Sequence, residues 1–222
     1  PVRVLQTTEY PWREDVELGI NPEGPARFGV AVRVPGWCDG ATFTLNAEPV
    51  AAPDVADGYA RFWREWRPGD RLRVRLPMPV RRMRAHPAVG NTAGRIALTR
   101  GPVVYCVEGV DSAVRPRHLV VPPDASLTAE HRADLLGGVM AITGRGLALR
   151  RQSDHAPLYL RADDHLEAGP AEFVAIPYYA NANREPSELR VWLWATADIL
   201  PPSVASDAMA SASHCHGGDT LA

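Results

Sequence analysis

The chain has 222 residues, 45% hydrophobic and 23% charged, with a formal net charge of −2 and a pI near 6.4. That is the balance of a folded globular protein of one large or two small domains, and it offers no basic field to nucleic acid or to an acidic membrane surface. All 24 cationic residues are arginine, scattered along strand-like segments rather than gathered in a block, which reads as a coding bias and not as a binding device.

In chain order, Phe28, Val30, Val32 and Val34 alternate with smaller or polar residues until Pro35-Gly36 ends the run, the period-2 signature of a half-buried strand. A second such strand is predicted at 41–46, with Phe43 and Leu45 inward and Asn46 opening a turn. Residues 58–66 follow, with Tyr59, Arg61, Trp63 and Glu65 on one face and Phe62 and Trp66 on the other. The short Arg67-Pro68-Gly69-Asp70 connection predicts a hairpin to 69–78, the clearest strand of all. There Leu72, Val74, Leu76 and Met78 interleave with Arg71, Arg73 and Arg75, so the arginines face solvent.

Beyond a loop from His86-Pro87 to Gly94, residues 95–100 and 102–108 read as two strands joined at Gly101. The run Val103-Val104-Tyr105-Cys106-Val107 is apolar on both faces, which predicts a central strand covered on each side. Further short strands are predicted at 117–121, 138–143, 147–151, 157–161, 172–176 and 188–194, and a helix only at 128–136, ahead of Gly137-Gly138. Many short strands with almost no helical period make an all-β protein of packed antiparallel sheets. Residues 203–222 are rich in Ser, Ala, Gly and Asp and read as linker or frayed tail.

Candidate chemistry is sparse. Three widely spaced cysteines, Cys38, Cys106 and Cys215, suggest neither a disulfide framework nor a paired-thiol zinc site, and Cys38 and Cys106 read as small buried hydrophobes. His214-Cys215-His216 holds three metal-capable side chains in a row, but neighbours on an extended chain point apart, which favours a solvated tail. The acidic run Asp163-Asp164-His165-Glu167 reads as a polar turn, with a hydrolase acid pair of Asp163 and Glu167 as the sharper alternative; Glu65 with Asp70 and Glu108 with Asp111 are similar pairs. Six tryptophans offer flat faces for sugars or bulk for a core, and Trp192 with Trp194, two apart on one strand face, fit the core. No phosphate loop, nucleophile elbow or HExxH string occurs.

Several strings together resemble one family. Thr8-Glu9-Tyr10-Pro11-Trp12, Arg33-Val34-Pro35-Gly36-Trp37-Cys38, Trp66-Arg67-Pro68-Gly69-Asp70, Arg100-Gly101-Pro102-Val103-Val104-Tyr105 and Ile176-Pro177-Tyr178-Tyr179-Ala180 with Asn183-Arg184 resemble the C-terminal half of glycoside hydrolase family 127 β-L-arabinofuranosidases. The chain departs from that pattern at Asn181, where tryptophan is usual, and at Ala47, where glycine is usual.

The resemblance implies two antiparallel β-sandwich or jelly-roll-like domains, 1–108 completed by 187–196 and an inserted 109–186. It implies a tail, 197–222, that opens a discoidin-like module. It further implies an accessory role, packing against an N-terminal (α/α)6 barrel of the same polypeptide that carries a cysteine nucleophile, a glutamate acid/base and zinc. None of those groups falls on a position of this chain, so no cofactor and no hydrolysis are expected of it alone. Arabinose-containing glycans and a second copy are the other expected partners. A carbohydrate-binding role would use the surface aromatics Trp63, Tyr178 and Tyr179.

Overall fold

The computed structural model of the chain describes residues 1–51, 55–149, 161 and 167–196. These residues form seventeen strands and four single 3-10 turns, with no longer helix among them. The first eight strands are β1 (Val2–Thr8), β2 (Asp15–Pro22), β3 (Ala26–Arg33), β4 (Thr42–Leu45), β5 (Glu48–Val50), β6 (Val55–Ala56), β7 (Tyr59–Trp66) and β8 (Asp70–Arg75). They make a five-stranded sheet, β1-β2-β8-β4-β5, facing a three-stranded sheet, β3-β7-β6, and every pairing is antiparallel. Between the sheets lie Ile20, Phe43, Trp66, Leu72 and Val74, each 3% exposed or less. The alternation of β8 places its arginines outward, where Arg71 and Arg73 meet Glu17 and Arg75 meets Glu14.

The hairpin expected between residues 58–66 and 69–78 does not form. β7 pairs with β3 and β6, whereas β8 pairs with β2 and β4, so the Arg67–Asp70 turn is a corner from one sheet to the other. The reason is burial: Trp66 and Leu72 enter one core from opposite walls, which two strands of one flat hairpin could not arrange. Asp70, 8% exposed, fixes the corner by accepting the Arg67 N–H at 2.9 Å and the Asn46 side-chain amide at 2.9 Å. Burial pushes the Asp70 carboxyl up, but those two hydrogen bonds and the charges of Arg64 and Arg67 outweigh it and hold the group below the ordinary carboxylate range. A depressed folded-state value gives stability that is present above about pH 4 and lost as pH falls through the lowered value. Asp70→Asn is therefore expected to flatten the fall in urea midpoint between pH 6 and pH 3, and an unchanged slope would contradict this assignment.

The loop between β4 and β5 is two residues, Asn46 and Ala47, at φ of 51° and 71°. Both positive angles belong to the tight hairpin turn that favours Asn-Gly, and alanine carries a Cβ penalty there. Ala47→Gly is expected to stabilise the chain by about 0.5–1 kcal/mol in urea unfolding.

The remaining strands are β9 (Val80–Met83), β10 (Arg95–Arg100), β11 (Val103–Glu108), β12 (Leu119–Val120), β13 (Leu127–Arg132), β14 (Val139–Leu149), β15 (Ala168–Pro177), β16 (Leu189–Arg190) and β17 (Trp192–Trp194). They make one nine-stranded sheet in which β10 pairs with both β17 and β11, so the circuit β11-β15-β14-β12-β17-β10 closes on itself as a roll. Its single parallel contact is Val120 with Trp194; the rest is antiparallel. Inside sit Ile96, Leu98, Val107, Leu119, Ile142, Phe173 and Leu193. Within this roll Ile96 pairs with Leu193 and Val107 with Arg190.

Tyr105, Cys106 and Val107 are buried on both faces of β11, as their apolar run requires. The helix expected at 128–136 is instead strand β13 and a turn. Leu127 and Ala129 alternate inward against the roll, and the whole strand pairs with β14 from Leu127 with Gly144 to Arg132 with Val139. The strand expected at 138–143 and the described part of the one expected at 147–151 belong to one strand, β14, which runs from Val139 to Leu149 unbroken through Gly144-Arg145-Gly146; residues 150 and 151 lie outside the described residues. Gly146 permits this because a Cβ there would lie 2.3 Å from the Val120 carbonyl oxygen. Residues 117–121 begin as a 3-10 turn at Pro116–His118 before becoming β12. Of the strand expected at 157–161, all but Arg161 lies outside the described residues.

The sheets change over at residues 76–79, where the Met78 N–H donates to Glu14 at 2.9 Å. Met78 is 2% exposed and lies against Gly101, whose φ is +56° and whose absent Cβ would fall 2.4 Å from the Met78 sulfur. Buried Arg100 reaches across the same joint to the Pro11 and Trp12 carbonyls, at 3.4 and 3.3 Å.

Candidate functional site

Tyr178 and Tyr179 leave β15 together in the 3-10 turn Tyr178–Ala180, 48% and 59% exposed. The turn is pinned from beneath. Glu108, at the end of β11 and 3% exposed, accepts the Ala182 N–H at 2.7 Å and the Arg184 guanidinium at 2.6 Å, and Arg184 also donates to Asp111 at 2.6 Å. Asn183 closes the turn with a 3.1 Å bond to the Ala180 carbonyl. The charge-assisted bonds to Asp111 and Glu108 hold the Arg184 pKa above its ordinary value. The pair Glu108 and Asp111, readable as an acid couple on the sequence, is thus bridged by one arginine and spent on structure.

Trp12 completes the surface from the other side of the joint. Its ring meets Tyr179 edge-on at 6.5 Å and 72°, and its carbonyl is held by Arg100. Burial raises the Tyr179 pKa and a hydrogen bond with Trp12 opposes that rise. Desolvation pushes neighbouring Tyr105 up to about 12. The result is an aromatic strip, Trp12-Tyr179-Tyr178, built by both sheet systems and rigidly backed. Trp12, one of the six tryptophans, reaches this turn through Tyr179 and Arg184 reaches it through Glu108, and nothing in their sequence spacing predicts either approach.

Trp63 stands elsewhere. It is 68% exposed on the outer face of the three-stranded sheet and leans over Gly29 of β3, where a Cβ would lie 2.9 Å from its Cε3 atom. On the same face Tyr59 lies under the Arg33 and Arg61 guanidiniums, 5.2 and 5.8 Å from its ring centroid. Among the described residues, no ring contact links Trp63 to Tyr178 or Tyr179. Trp194, with its indole N–H bonded to the Arg117 carbonyl, is buried, and Trp192 is half-buried.

Beside the strip, a cleft of about 810 Å³ separates the 9–15 loop from the β13–β14 hairpin, with His131, Glu130, Arg100 and Trp12 on its walls. Two of its carboxylates are engaged, Glu9 with Arg13 and Glu14 with Arg75. Glu65 and Asp70 do not converge either: Glu65 meets Arg67 at 3.4 Å while Asp70 serves its corner. Cys38 and Cys106 are buried, and desolvation raises both thiols, Cys106 to about 12, the opposite of what a nucleophile needs.

The resemblance places its zinc in the barrel and not on these positions, and among the described residues no three His, Cys, Asp or Glu side chains gather as a metal site. Asp163, Asp164, His165 and the string His214-Cys215-His216 lie outside the described residues, and Glu167 is exposed.

Two antiparallel β units, one a two-sheet stack and one a roll, joined beneath an aromatic strip, make this a β-sandwich-like, all-β protein. Residues 1–78 match the middle domain of the family 127 β-L-arabinofuranosidases and residues 80–194 match the glycoside hydrolase family 127 C-terminal domain, so the chain belongs to glycoside hydrolase family 127. It is 36% identical over 202 residues to a non-reducing end β-L-arabinofuranosidase of Bifidobacterium longum subsp. longum, covering 85% of this chain and 30% of that one. The crystal structure of a family 127 β-L-arabinofuranosidase from Geobacillus stearothermophilus T6 superposes with a TM-score of 0.83 at 40% identity, covering 88% of this chain and 31% of that one. A further family 127 β-arabinofuranosidase structure gives 0.77 at 29% identity, covering 88% of this chain and 32% of that one. The chain therefore spans about 30% of the length of the curated relative it matches.

Proposed function

We propose that this chain is the accessory β region of a β-L-arabinofuranosidase-type glycoside hydrolase, and that it packs against and supports an N-terminal (α/α)6 catalytic barrel of the same polypeptide. The observation that carries this reading is the match to middle and C-terminal domains over residues 1–194, at about 30% of a relative's length. Support comes from the chemistry of the described residues. Their thiols are buried and raised, and their close acid pairs are tied to arginines. Nucleophile, acid/base and zinc are assigned to the barrel. The exposed but rigid strip of Trp12, Tyr178 and Tyr179 has the make-up of a docking face, since aromatic rings held in place lose little entropy on burial.

The test is hydrolysis of an aryl β-L-arabinofuranoside. The chain alone is expected to give no turnover with or without added zinc, and the polypeptide extended upstream to the length of its relatives is expected to be active. Turnover by the chain alone at zinc stoichiometry would overturn the reading.

A second reading, glycan contact, is favoured by one observation, the open face of Trp63 above Gly29. In this reading Trp63, Tyr178 and Tyr179 stack arabinose-containing chains. Titration with arabinan oligosaccharides would quench tryptophan fluorescence saturably if it holds, and flat traces would remove it.

A further inference from the structure

Strand β1 is exposed along its whole length, even though Val2 and Val4 carry aliphatic side chains and are 46% and 55% exposed. The five-stranded sheet overhangs the three-stranded sheet on this side. Between them runs a groove of about 700 Å³, floored by Val2, Val4 and Leu18 and roofed by Phe28, Val30 and Val32. Every residue from Phe28 to Arg33 borders it, inward- and outward-facing alike, so the backbone edge of β3 is itself a wall. Among the described residues β3 pairs with β7 alone, which leaves the peptide groups along that edge without a ladder partner. A row of unpaired N–H and C=O groups beside an aliphatic floor is a slot for one extended chain, whose backbone the edge would pair and whose alternate side chains the floor would bury.

We propose that this groove takes up one additional β-strand of alternating apolar side chains, contributed by the part of the polypeptide that family members carry ahead of the middle domain. This rests on the accessory-region reading above. The relative matched here is covered to only 30% of its length, and the segment matched at residues 1–78 is a middle domain. Val2 is a groove residue, so a segment preceding it is tethered at the slot and meets it at high effective concentration. A second copy fits poorly: two β3 strands paired about Val30 would set Arg27 of each against Arg33 of the other and leave both floors bare.

Hydrogen exchange tests this on the 222-residue chain and on the polypeptide extended upstream to the length of its relatives. The edge-facing amides of residues 28–32 are expected to exchange about a hundredfold faster in the shorter chain. Anilinonaphthalene sulfonate should fluoresce with the shorter chain and lose that response with the longer one. Equal exchange in the two would overturn the proposal, as would protection in the shorter chain that rises with its concentration, which would make a second copy the occupant. Arabinofuranosidase activity is measured on the same samples: an active longer polypeptide with unchanged β3 exchange defeats the strand and spares the accessory reading, and an inactive one with unchanged exchange defeats both.

Discussion

Trp66→Ala is expected to cost the chain about 3–5 kcal/mol of unfolding free energy. Trp66 is 0% exposed at the end of β7, packed with Ile20, Leu45 and Leu72 between the two sheets and 6.1 Å from the Phe28 ring. Truncation would open a large cavity between the two sheets. It would also strip the Phe28 carbonyl of the indole N–H that it accepts at 3.0 Å. Trp63→Ala, three residues away on the opposite face and 68% exposed, is the internal comparison and should stay within about 0.5 kcal/mol of the parent. Urea unfolding of both variants decides it, and similar losses for the two would contradict the assignment of inner and outer faces.

Arg184→Met carries the second large effect. It removes the cation that bridges Glu108 and Asp111 and leaves two carboxylates, 3% and 12% exposed as side chains, without that charge between them, Glu108 keeping only the Ala182 N–H of the partners described above. Breaking a buried pair from one side typically costs about 3–5 kcal/mol, most of it the penalty on the stranded charge. A variant that also carries Glu108→Gln and Asp111→Asn should therefore recover much of the loss, which separates charge from packing. The turn bearing Tyr178 and Tyr179 hangs on this triad, so the single variant should also alter the fluorescence of Trp12. A single variant that loses less than about 1 kcal/mol would show that the triad is ornamental to stability.

The sequence carried the all-β class plainly, because alternation in β3, β7 and β8 is local and each strand buries one face. It carried the burial of β11 for the opposite reason, a run apolar on both faces, which holds from Tyr105 to Val107 while Val104 stays 40% exposed. The family assignment rested on strings such as Arg100-Gly101-Pro102, and the structure supplies their purpose: Arg100 and Gly101 form the joint against Trp12 and Met78. Pairing partners were less legible. The corner at Arg67–Asp70 has the composition of a hairpin turn, and only the shared core of Trp66 and Leu72 reveals that it crosses between sheets. Residues 128–136 hold good helix formers, but Leu127 and Ala129 answer to β14, a partner that local propensity does not know about. β1 and β2 alternate as clearly as β3, with Val2, Val4, Val16, Leu18 and Ile20, so their period-2 signal is present in the sequence as well. The site was least legible, since Arg184 lies far in sequence from Glu108 and Asp111 and meets them only in the folded roll, and Trp12 reaches Tyr179 only when the two units join.

The roll closes late. Its circuit is sealed by β17, where Leu193 sits beside Ile96 and Trp194 beside Arg95, and by Val120 alongside Trp194. A nascent chain emerging from the ribosome can thus assemble the first stack as soon as β8 is out, while β10 and β11 must wait, apolar and half-partnered, until nearly the last described residue has been made. Synthesis halted anywhere between those points would release a polypeptide with an open seam, the kind of intermediate that chaperones hold and proteases find.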